Sequence, residues 1–534
     1  MKVELRYRIT GRVMTMALVG VIMVCVSCLV FLYNPLQMIL RKFLTLSPGS
    51  MFFSLWETPP YDVVMKIYIF NVTNAEEFLR GEEKLNFTQS GPYAYKEVLT
   101  NNNATFHDDG TVTYSPYRDF HPDEANSVAN PLTERIIVPN IPVIGIQSFL
   151  TDSSFVTNIG FSTLAASMGA PSFVNLTVNE YLWGYEDKLV SLANQFIPSW
   201  IDFGKFGILE RLMDRDNHNE VTISVKPGQS SSQYAQQLTQ EELMSEYHII
   251  KWNGLHGLKE WGFDEKNESA KSTKKCQLVE GAFDGTIFPT PLRKYRNVTI
   301  YRHAFCRPVP LMFVNENVNS QGIKVYNYKM GEDLFSSPDI NPFNECFCSN
   351  GKCPEKGLQN IAPCYYGLPI VLSQPHFLNG DPAVINSFNG IDPIEEKHGS
   401  IAKIQPDVGI PMDGSMLRIQ VNLGVSQTRF NSKTRPFNGL TLPLLWIELG
   451  CTKLPSFVDW LLTLVFDVLP VCQDVLSYFL GIVGLAIISG AALLTLFFSK
   501  AVPRSLSISP DYSAIPLISI PAQYLREKEL RICK

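Results

Sequence analysis

The 534-residue chain lacks the short motifs of the common enzyme classes. It has no G-x-S-x-G nucleophile turn, no H-E-x-x-H metal-binding motif and no G-x4-G-K-S/T phosphate loop. Basic tracts that could follow a nucleic-acid backbone are also missing, and the net charge is a mild −6. These absences predict a protein that is not an enzyme, holds no cofactor or metal ion, and does not bind nucleic acid.

Long uncharged apolar runs are scarce, and the two that occur lie near the ends of the chain. Residues 13–33 contain neither charge nor proline, and a helix of that length crosses about 30 Å of hydrocarbon. A cleaved signal peptide is the alternative, but its apolar core is only about 7 to 15 residues long. Residues 475–498 form the second, stronger run, with Lys500 close behind it. The pattern predicts two transmembrane helices.

Charge is distributed so that both ends are basic and the middle is acidic. Residues 1–12 and 499–534 each carry a net charge of +3, which leaves −12 for the rest. Because basic flanks favour the cytosolic side of a membrane, both termini are expected in the cytosol. The predicted organisation is a tail of residues 1–12, a membrane helix 13–33, an ectodomain 34–474, a membrane helix 475–498 and a tail 499–534.

Acceptor triplets for N-glycosylation, Asn-x-Ser/Thr, fall only inside the predicted ectodomain. Because the tails are short, this distribution gives the topology modest support. We expect glycans at Asn71, Asn86, Asn103, Asn175, Asn267 and Asn297.

Strand patterns occur early and late in the ectodomain. Residues 62–70 are rich in β-branched and aromatic side chains, and residues 96–117 hold two extended segments around Asp109-Gly110, a common hairpin turn pair. Apolar residues alternate with polar ones over residues 417–423, as in a half-buried strand. A substantial β core is predicted.

Helical patterns concentrate between residues 141 and 192. Thr177 and Glu180 there fit an N-terminal capping box. Four apolar residues share one helix face, with the spacing i, i+3, i+4 and i+7: Phe161, Leu164, Ala165 and Met168. The pattern predicts several short helices in this region.

One stretch of the ectodomain is almost without charge. Between Ile136 and Asn179 the single charged residue is Asp152. Such a stretch is either buried or presents an apolar surface to a partner. Burial is the default expectation, because large exposed apolar patches are rare.

A further apolar region, residues 444–471, precedes the second membrane run. It contains four charged residues, so it is a poor candidate for a membrane helix. We predict either an interfacial helix, with Trp446 and Trp460 at the level of the lipid head groups, or an ordinary buried helix.

Eleven cysteines are present, and seven of them lie well inside the ectodomain. An ectodomain matures in an oxidising compartment, so disulfides are expected. The cluster from Cys346 to Cys364 also resembles zinc-ligand spacing, but it lacks paired C-x2-C elements. Spacing alone does not select one pairing. Cys451 is expected either to pair with Cys472 or to remain reduced.

Several segments in a shared order carry a resemblance to a known family. They are the cysteine series with its central Cys346-x-Cys348 pair, Ser90 to Tyr93 with Glu97, and residues 180–187, 284–292, 368–377, 420–423 and 443–446. With the two terminal runs, they resemble the class B scavenger receptor family. That family includes fatty-acid translocase, the lysosomal integral membrane protein and the sensory-neuron membrane proteins.

The resemblance implies an α+β membrane protein with a β-barrel-like ectodomain, an apical helical bundle over about residues 141–192 and an internal hydrophobic tunnel. The implied function is a receptor that binds a fatty acid, sterol or related lipid and passes it through the tunnel to the membrane. A lipoprotein particle is a further ligand of this class. The implied disulfides are Cys276–Cys346, Cys306–Cys364 and Cys348–Cys353.

A second hypothesis assigns the charge-poor apical region to a protein partner. Its helices would dock a soluble hydrolase, and the tail would carry the complex to lysosomes. Tyr512 and Ile515 fit the Y-x-x-apolar signal that clathrin adaptors bind. Under either hypothesis we expect a multi-pass protein of the plasma membrane or the endosome–lysosome membrane. The residues predicted for the apical surface are Phe149, Phe155, Phe161, Leu164, Met168 and Phe173.

Overall fold

The computed structural model describes residues 2–500 except 200, 214–218, 229–232, 235–237, 244, 267–272, 320, 349–352 and 427–430. These residues form two compact units. One combines the chain up to Asn34 with the chain from Gln473 onwards, and the other runs from Pro35 to Cys472. The first unit is helical, and the second is built mainly on two β-sheets.

The helices and strands of the described residues follow one another in a mixed order. The α-helices are α1 (Lys2–Tyr33), α2 (Pro35–Phe43), α3 (Met51–Glu57), α4 (Ala75–Arg80), α5 (Ile141–Phe149), α6 (Phe155–Ser167), α7 (Val178–Trp183), α8 (Lys188–Phe196), α9 (Ile208–Met213), α10 (Gln240–Leu243), α11 (Pro382–Ile385), α12 (Glu395–His398), α13 (Ser456–Thr463) and α14 (Leu469–Lys500). The strands are β1 (Asp62–Val72), β2 (Phe87–Phe106), β3 (Thr111–Pro122), β4 (Arg135–Pro139), β5 (Phe173–Thr177), β6 (Val221–Ser224), β7 (Ile249–Trp252), β8 (Val298–Arg302), β9 (Arg307–Val318), β10 (Lys324–Met330), β11 (Gln359–Asn360), β12 (Ile370–Ser373), β13 (Ala402–Gln405), β14 (Ile410–Pro411), β15 (Ser415–Gly424) and β16 (Thr441–Lys453).

The terminal unit pairs α1 with the part of α14 that begins at Gln473. These helices touch where their side chains are small: a Cβ on Gly20 would lie 2.8 Å from the backbone oxygen of Gly484. Ser27 Oγ donates a hydrogen bond of 2.9 Å to the backbone oxygen of Ser477. Small residues let membrane helices approach closely. In the part of the chain that the structure describes, two helical stretches are long and apolar enough to cross a membrane: Gly11–Tyr33 and Ser456–Phe497.

The larger sheet contains, among the described residues, nine antiparallel strands in the order β11-β12-β15-β16-β1-β2-β3-β6-β7. The predicted strand at residues 62–70 is confirmed as β1. The predicted hairpin is also confirmed, because β2 turns into β3 through Asp109-Gly110, where Gly110 adopts a φ of 81° that favours glycine. Leu449 of β16 pairs with Met65 on one side and Leu417 on the other.

The smaller sheet has the strand order β14-β13-β10-β9-β8 within the described chain. An isolated bridge joins Ile401, just before β13, to Met416 of β15 in the larger sheet. Buried side chains of both sheets belong to one continuous core. The two sheets therefore enclose a common interior.

Helices α5 to α8 occupy the region predicted to be helical. The capping box is confirmed: Thr177 Oγ1 accepts from the backbone N–H of Glu180, and the Glu180 carboxylate accepts from the backbone N–H of Thr177 at 2.8 Å. These bonds satisfy two backbone donors that the first turn of α7 would otherwise leave unpaired.

The apolar region at residues 444–471 contains most of a strand followed by helical segments. The prediction of a helix there is wrong for residues 444–453, which belong to β16. Trp446 in this strand is 4% exposed and stacks on Tyr68 with ring centroids 3.8 Å apart. Helix α13 begins after Pro455, and its Trp460 is 65% exposed. A central strand covered on both faces reads as a continuous apolar run, which periodicity cannot distinguish from a helix.

Strand β15 is confirmed at residues 417–423, but both of its faces are covered by protein, although Leu417 and Ile419 are only half-buried. Its apolar residues face the interior between the sheets. The alternating polar residues lie under the segment that connects β12 to β13, and they are buried as well: Arg418, Gln420 and Asn422. Because buried polar groups need hydrogen-bond partners, this second face is a polar network instead of a solvated surface.

Candidate functional site

An apolar face of the larger sheet lines the space between the two sheets. Side chains alternate between the faces of a strand, and three adjacent strands contribute six apolar residues to this face: Met65, Leu417, Ile419, Val421, Ile447 and Leu449. Paired register keeps them in continuous rows across β15, β16 and β1. The sheet thus presents a broad hydrophobic wall to its interior.

Among the described residues, two of the cavities that border this wall also border each other. The first has a volume of about 280 Å³ and is also bounded by Trp252 and Tyr301. The second has a volume of about 210 Å³ and is also bounded by Tyr61 and Phe288. The residues that border both cavities are Glu97, Arg302, Leu417 and Leu449. A charged pair therefore stands at the boundary between two largely apolar spaces.

The charged boundary is centred on the carboxylate of Glu97. Arg118 donates to Glu97 Oε1 at 2.9 Å, and Arg302 approaches the same oxygen at 3.4 Å. Glu97 and Arg118 come from β2 and β3 of the larger sheet, whereas Arg302 ends β8 of the smaller sheet. Burial, followed by the neighbouring Arg118, lowers the pKa of Arg302. The cluster links the two sheets across the interior.

A second carboxylate, that of Asp284, lies beside the cluster with its hydrogen bonds already made. Tyr114 donates its hydroxyl to Asp284 Oδ2 at 2.8 Å, and Thr286 donates both its backbone N–H and its hydroxyl. Burial, followed by the charge of Asp284, raises the pKa of Tyr61 at the edge of the second cavity. These tyrosines are therefore neutral hydrogen-bonding groups at physiological pH.

The opposite face of the larger sheet carries a comparable ion cluster that borders neither cavity. Glu448 of β16 accepts from Lys66 at 3.2 Å and from Arg418 at 2.8 Å. Its side chain is 9% exposed, whereas that of Glu97 is 2% exposed. Glu448 is thus a buried glutamate between two basic side chains, like Glu97, but on the far side of the sheet.

Near this second cluster, two buried histidines stack on each other. The rings of His376 and His398 lie 4.2 Å apart at an angle of 10°. The Nδ1 atom of His376 accepts from the backbone N–H of Asp392, and the Nδ1 atom of His398 accepts from that of Ile394, both at 3.0 Å. Burial is the main cause that lowers the pKa of His376 to about 3 and that of His398 to about 4. Both rings are therefore neutral.

Three disulfides join described residues, and they link the pairs that the resemblance implies: Cys276–Cys346, Cys306–Cys364 and Cys348–Cys353. Their Cα–Cα distances of 5.9, 6.1 and 4.4 Å suit disulfide geometry. Bonded sulfurs cannot act as thiolate ligands, which removes the zinc interpretation. Cys451 is buried in β16 and is not bonded to Cys472, which is exposed.

The predicted modification and sorting residues fall into three groups. Three glycan acceptors have exposed side chains: Asn103, Asn175 and Asn297. Two are half-buried: Asn71 and Asn86. Asn267 and the tail residues Tyr512 and Ile515 lie outside the described residues.

The six residues predicted for the apical surface differ in exposure. Phe149 and Phe155 are 43% and 62% exposed. The other four are half-buried: Phe161, Leu164, Met168 and Phe173. The first three of these pack against the small core that α5, α6 and α8 share.

The outward face of α6 consists of residues that helical spacing did not select. Val156 is 78% exposed and Ile159 is 39% exposed. The i, i+3, i+4, i+7 pattern that predicted the helix marks its packing face. The apolar residues of α6 that lie outside this pattern indicate its exposed face.

The charged residues at the cavity boundary were also not predicted as site residues, although the sequence contains a signal for two of them. Glu97 follows Tyr93 and Tyr95 at a spacing of two, so it occupies the apolar phase of β2. Arg302 follows Ile300 at a spacing of two, so it occupies the apolar phase of β8. A charge in the apolar phase of a strand indicates a buried charge that needs a partner.

Comparison with known proteins extends over most of the chain. The model of the CD36 family matches residues 17–495. Scavenger receptor class B member 1 from Mus musculus is 30% identical over 461 residues, which cover 85% of this chain and 82% of that protein. Lysosome membrane protein 2 from Homo sapiens is 28% identical over 453 residues, which cover 83% of this chain and 87% of that protein.

Apolar helices at both ends and a cavity-bearing, disulfide-linked unit between them fit the class of two-span membrane proteins. The family match over residues 17–495 then makes the assignment specific: the chain belongs to the CD36 family, and the resemblance to class B scavenger receptors is confirmed. Its relatives are named as receptors and lysosome membrane proteins, and neither name describes an enzyme. Family membership supports a receptor or lipid-transport role in general.

Proposed function

We propose that the protein is a membrane receptor that binds a fatty acid, sterol or related lipid between its two sheets and passes it towards the membrane. The observation that carries this proposal is the hydrophobic wall of β1, β15 and β16, which borders both cavities. Each methylene group moved there from water contributes about 0.8 kcal/mol to binding. An acyl chain or a sterol ring system can thus be held largely without a charged anchor.

The proposed orientation places both tails in the cytosol and the unit from Pro35 to Cys472 outside it. Glycans would then attach to the exposed side chains of Asn103, Asn175 and Asn297. Residence in the plasma membrane or in the endosome–lysosome membrane is part of the proposal, and a relative named as a lysosome membrane protein supports the second. A lipoprotein particle would be one source of the lipid, and a clathrin adaptor would bind the tail.

Filling the interior tests the lipid path. Leu449 borders both cavities, so Leu449→Trp places an indole where the acyl chain would pass. We expect uptake of radiolabelled palmitate, by cells that display the full-length protein, to fall at least about tenfold, because a blocked cavity loses the burial energy of several methylene groups. The measurement is initial uptake per copy of surface protein.

The control for this experiment is the same substitution at an exposed leucine. Leu132 is 64% exposed, so Leu132→Trp adds an indole without entering the interior. It is expected to leave uptake unchanged. If Leu449→Trp and Leu132→Trp both take up palmitate like the unmodified protein at equal surface amounts, the lipid path does not run between the sheets.

A second candidate function is that of a receptor for a soluble hydrolase. It is favoured by the uncharged, exposed face of α6, where Phe155 and Val156 are 62% and 78% exposed. Val156→Asp is expected to increase the secretion of lysosomal hydrolases about tenfold, since an unpaired charge is costly to bury in an interface. Ile340, which is 61% exposed elsewhere, provides the control Ile340→Asp. Unchanged secretion in the Val156 variant would contradict this function.

A further inference from the structure

Each cavity by itself is small for an intact lipid. Their volumes of about 280 and 210 Å³ each lie below the range of about 300 to 1,000 Å³ that is usual for small-molecule sites, and their joint volume lies within it. Glu97, Arg302 and two leucines stand between them. A lipid long enough to occupy both cavities would therefore pass the charged pair.

The way in which Glu97 is held leaves the arginines able to accept another anion. Within the described residues, Arg118 and Arg302 each make one side-chain hydrogen bond, and both reach the same oxygen of Glu97. A guanidinium carries five N–H donors and binds a carboxylate best through two parallel bonds. Two single contacts to one shared oxygen use a small part of that capacity.

Exposure and charge at the boundary also favour an incoming anion. The side chains of Arg118 and Arg302 are 21% and 20% exposed, whereas that of Glu97 is 2% exposed. The arginines, which line the first cavity, are thus accessible to a ligand in a way that Glu97 is not. The adjacent Asp284 is engaged by Tyr114 and Thr286. Among the described residues, Glu97 is the carboxylate that hydrogen-bonds to both arginines, and Asp284 acts on Arg302 through its charge alone.

We propose that Glu97, Arg118 and Arg302 form a gate between the two cavities. The carboxylate head group of a single-chain lipid opens this gate by binding the two arginines in place of Glu97. The gate rests on the lipid path proposed above. A neutral lipid of the same length offers no charge to replace Glu97, so it remains in one cavity. The gate thus selects fatty acids over neutral lipids for passage.

Photo-crosslinking with two matched lipids tests the gate in the full-length protein. The probes are palmitic acid and hexadecanol, each with a diazirine in the chain. Labelled peptides identify the cavity, since Trp252 borders only the first and Tyr61 only the second. Palmitic acid is expected to label both cavities, and hexadecanol only one.

Two substitutions in the gate residues, with a matched control, test the gate directly. Glu97→Gln removes the charge that holds the arginines. It is expected to increase, about tenfold, hexadecanol labelling of the cavity that hexadecanol does not label in the unmodified protein. Arg118→Met is expected to reduce palmitic acid labelling of that same cavity about tenfold. The labelling pattern of hexadecanol is expected to stay unchanged in this variant. Glu448→Gln, the same change in the ion cluster on the opposite face, is expected to label like the unmodified protein.

The outcomes separate the gate from the lipid path. If both probes label both cavities equally in the unmodified protein, or if the Glu97 and Arg118 variants keep the original pattern, the gate is contradicted while the lipid path stands. If neither probe labels any peptide that borders a cavity, the lipid path itself fails. The gate is supported if palmitic acid labels both cavities, hexadecanol labels one, and Arg118→Met loses the palmitic acid labelling of the other cavity.

Discussion

Replacing Arg307 by methionine is expected to destabilise the protein by about 4 kcal/mol, or about a thousandfold in the folding equilibrium. Arg307 is 1% exposed, and burial lowers its pKa to about 9. Its guanidinium donates to the side-chain oxygens of Gln359 and Asn344 and to the backbone oxygens of Leu334 and Pro308. Methionine fills part of the space but leaves these acceptors without donors.

The effect is large because Arg307 joins separate parts of the chain. It connects the start of β9 to the segment that contains Asn344, next to the disulfide-bonded Cys346. The measurement is the guanidinium unfolding midpoint of the full-length protein in micelles. Arg80→Met is the control, since the Arg80 side chain is 51% exposed, and it is expected to leave the midpoint unchanged. An unchanged midpoint for Arg307→Met would contradict the assigned role.

Acidification from pH 7.5 to pH 5 is expected to lower the free energy of unfolding by about 4 kcal/mol through the stacked histidines. The folded protein holds the pKa of His376 at about 3 and that of His398 at about 4, against 6.5 for an ordinary histidine. Above pH 6.5 both rings are neutral in the folded and the unfolded chain. Below it the unfolded chain takes up protons first, so stability is lost from about pH 6.5 down to the folded pKa values of about 4 and about 3.

The charges around the pair act in both directions. His398 and Lys397 lower the pKa of His376, and Arg418 lowers that of His398, whereas Asp392 raises it. Burial outweighs them all. A protonated Nδ1 could also not accept the backbone N–H of Asp392, so protonation would break that hydrogen bond.

The double variant His376→Asn/His398→Asn measures this contribution. An asparagine side chain offers an oxygen in place of Nδ1, and it tolerates the φ of 54° at position 376. The variant is expected to lose about 4 kcal/mol less than the unmodified protein between pH 7.5 and pH 5. His121→Asn, at a 60% exposed side chain, serves as the control. An equal pH dependence in all three proteins would show that the pair does not titrate as described.

Local features of the fold were predictable from the sequence. The hairpin at Asp109-Gly110 and the capping box of Thr177 and Glu180 depend on residues that are close along the chain. Their physical causes, a glycine with positive φ and two satisfied N–H groups, act within a few residues. The family resemblance was carried by the same kind of short segment.

Residues 444–453 show where local reasoning failed. Both faces of β16 are covered, so the alternation that marks a strand is replaced by a continuous apolar run. Strand pairing with β1 and β15 decides its structure, and those partners lie elsewhere in the chain.

The candidate site was harder to predict because it depends on contacts between distant residues. Glu97 and Arg302 are separated by 205 positions and come from different sheets. The phase of each residue in its strand indicates that its side chain points to the interior side of the sheet, but not which partner it meets. The stacking of His376 on His398 depends in the same way on two short segments that fold over the polar face of the larger sheet.

Native mass spectrometry of the purified full-length protein, with identification of what it carries, tests the central claim most directly. The claim is that a hydrophobic lipid occupies the interior between the two sheets. We expect one tightly held lipid per folded chain, lost in Leu449→Trp and retained in Leu132→Trp. A folded chain without bound lipid, or a lipid that Leu449→Trp retains equally, would contradict the account.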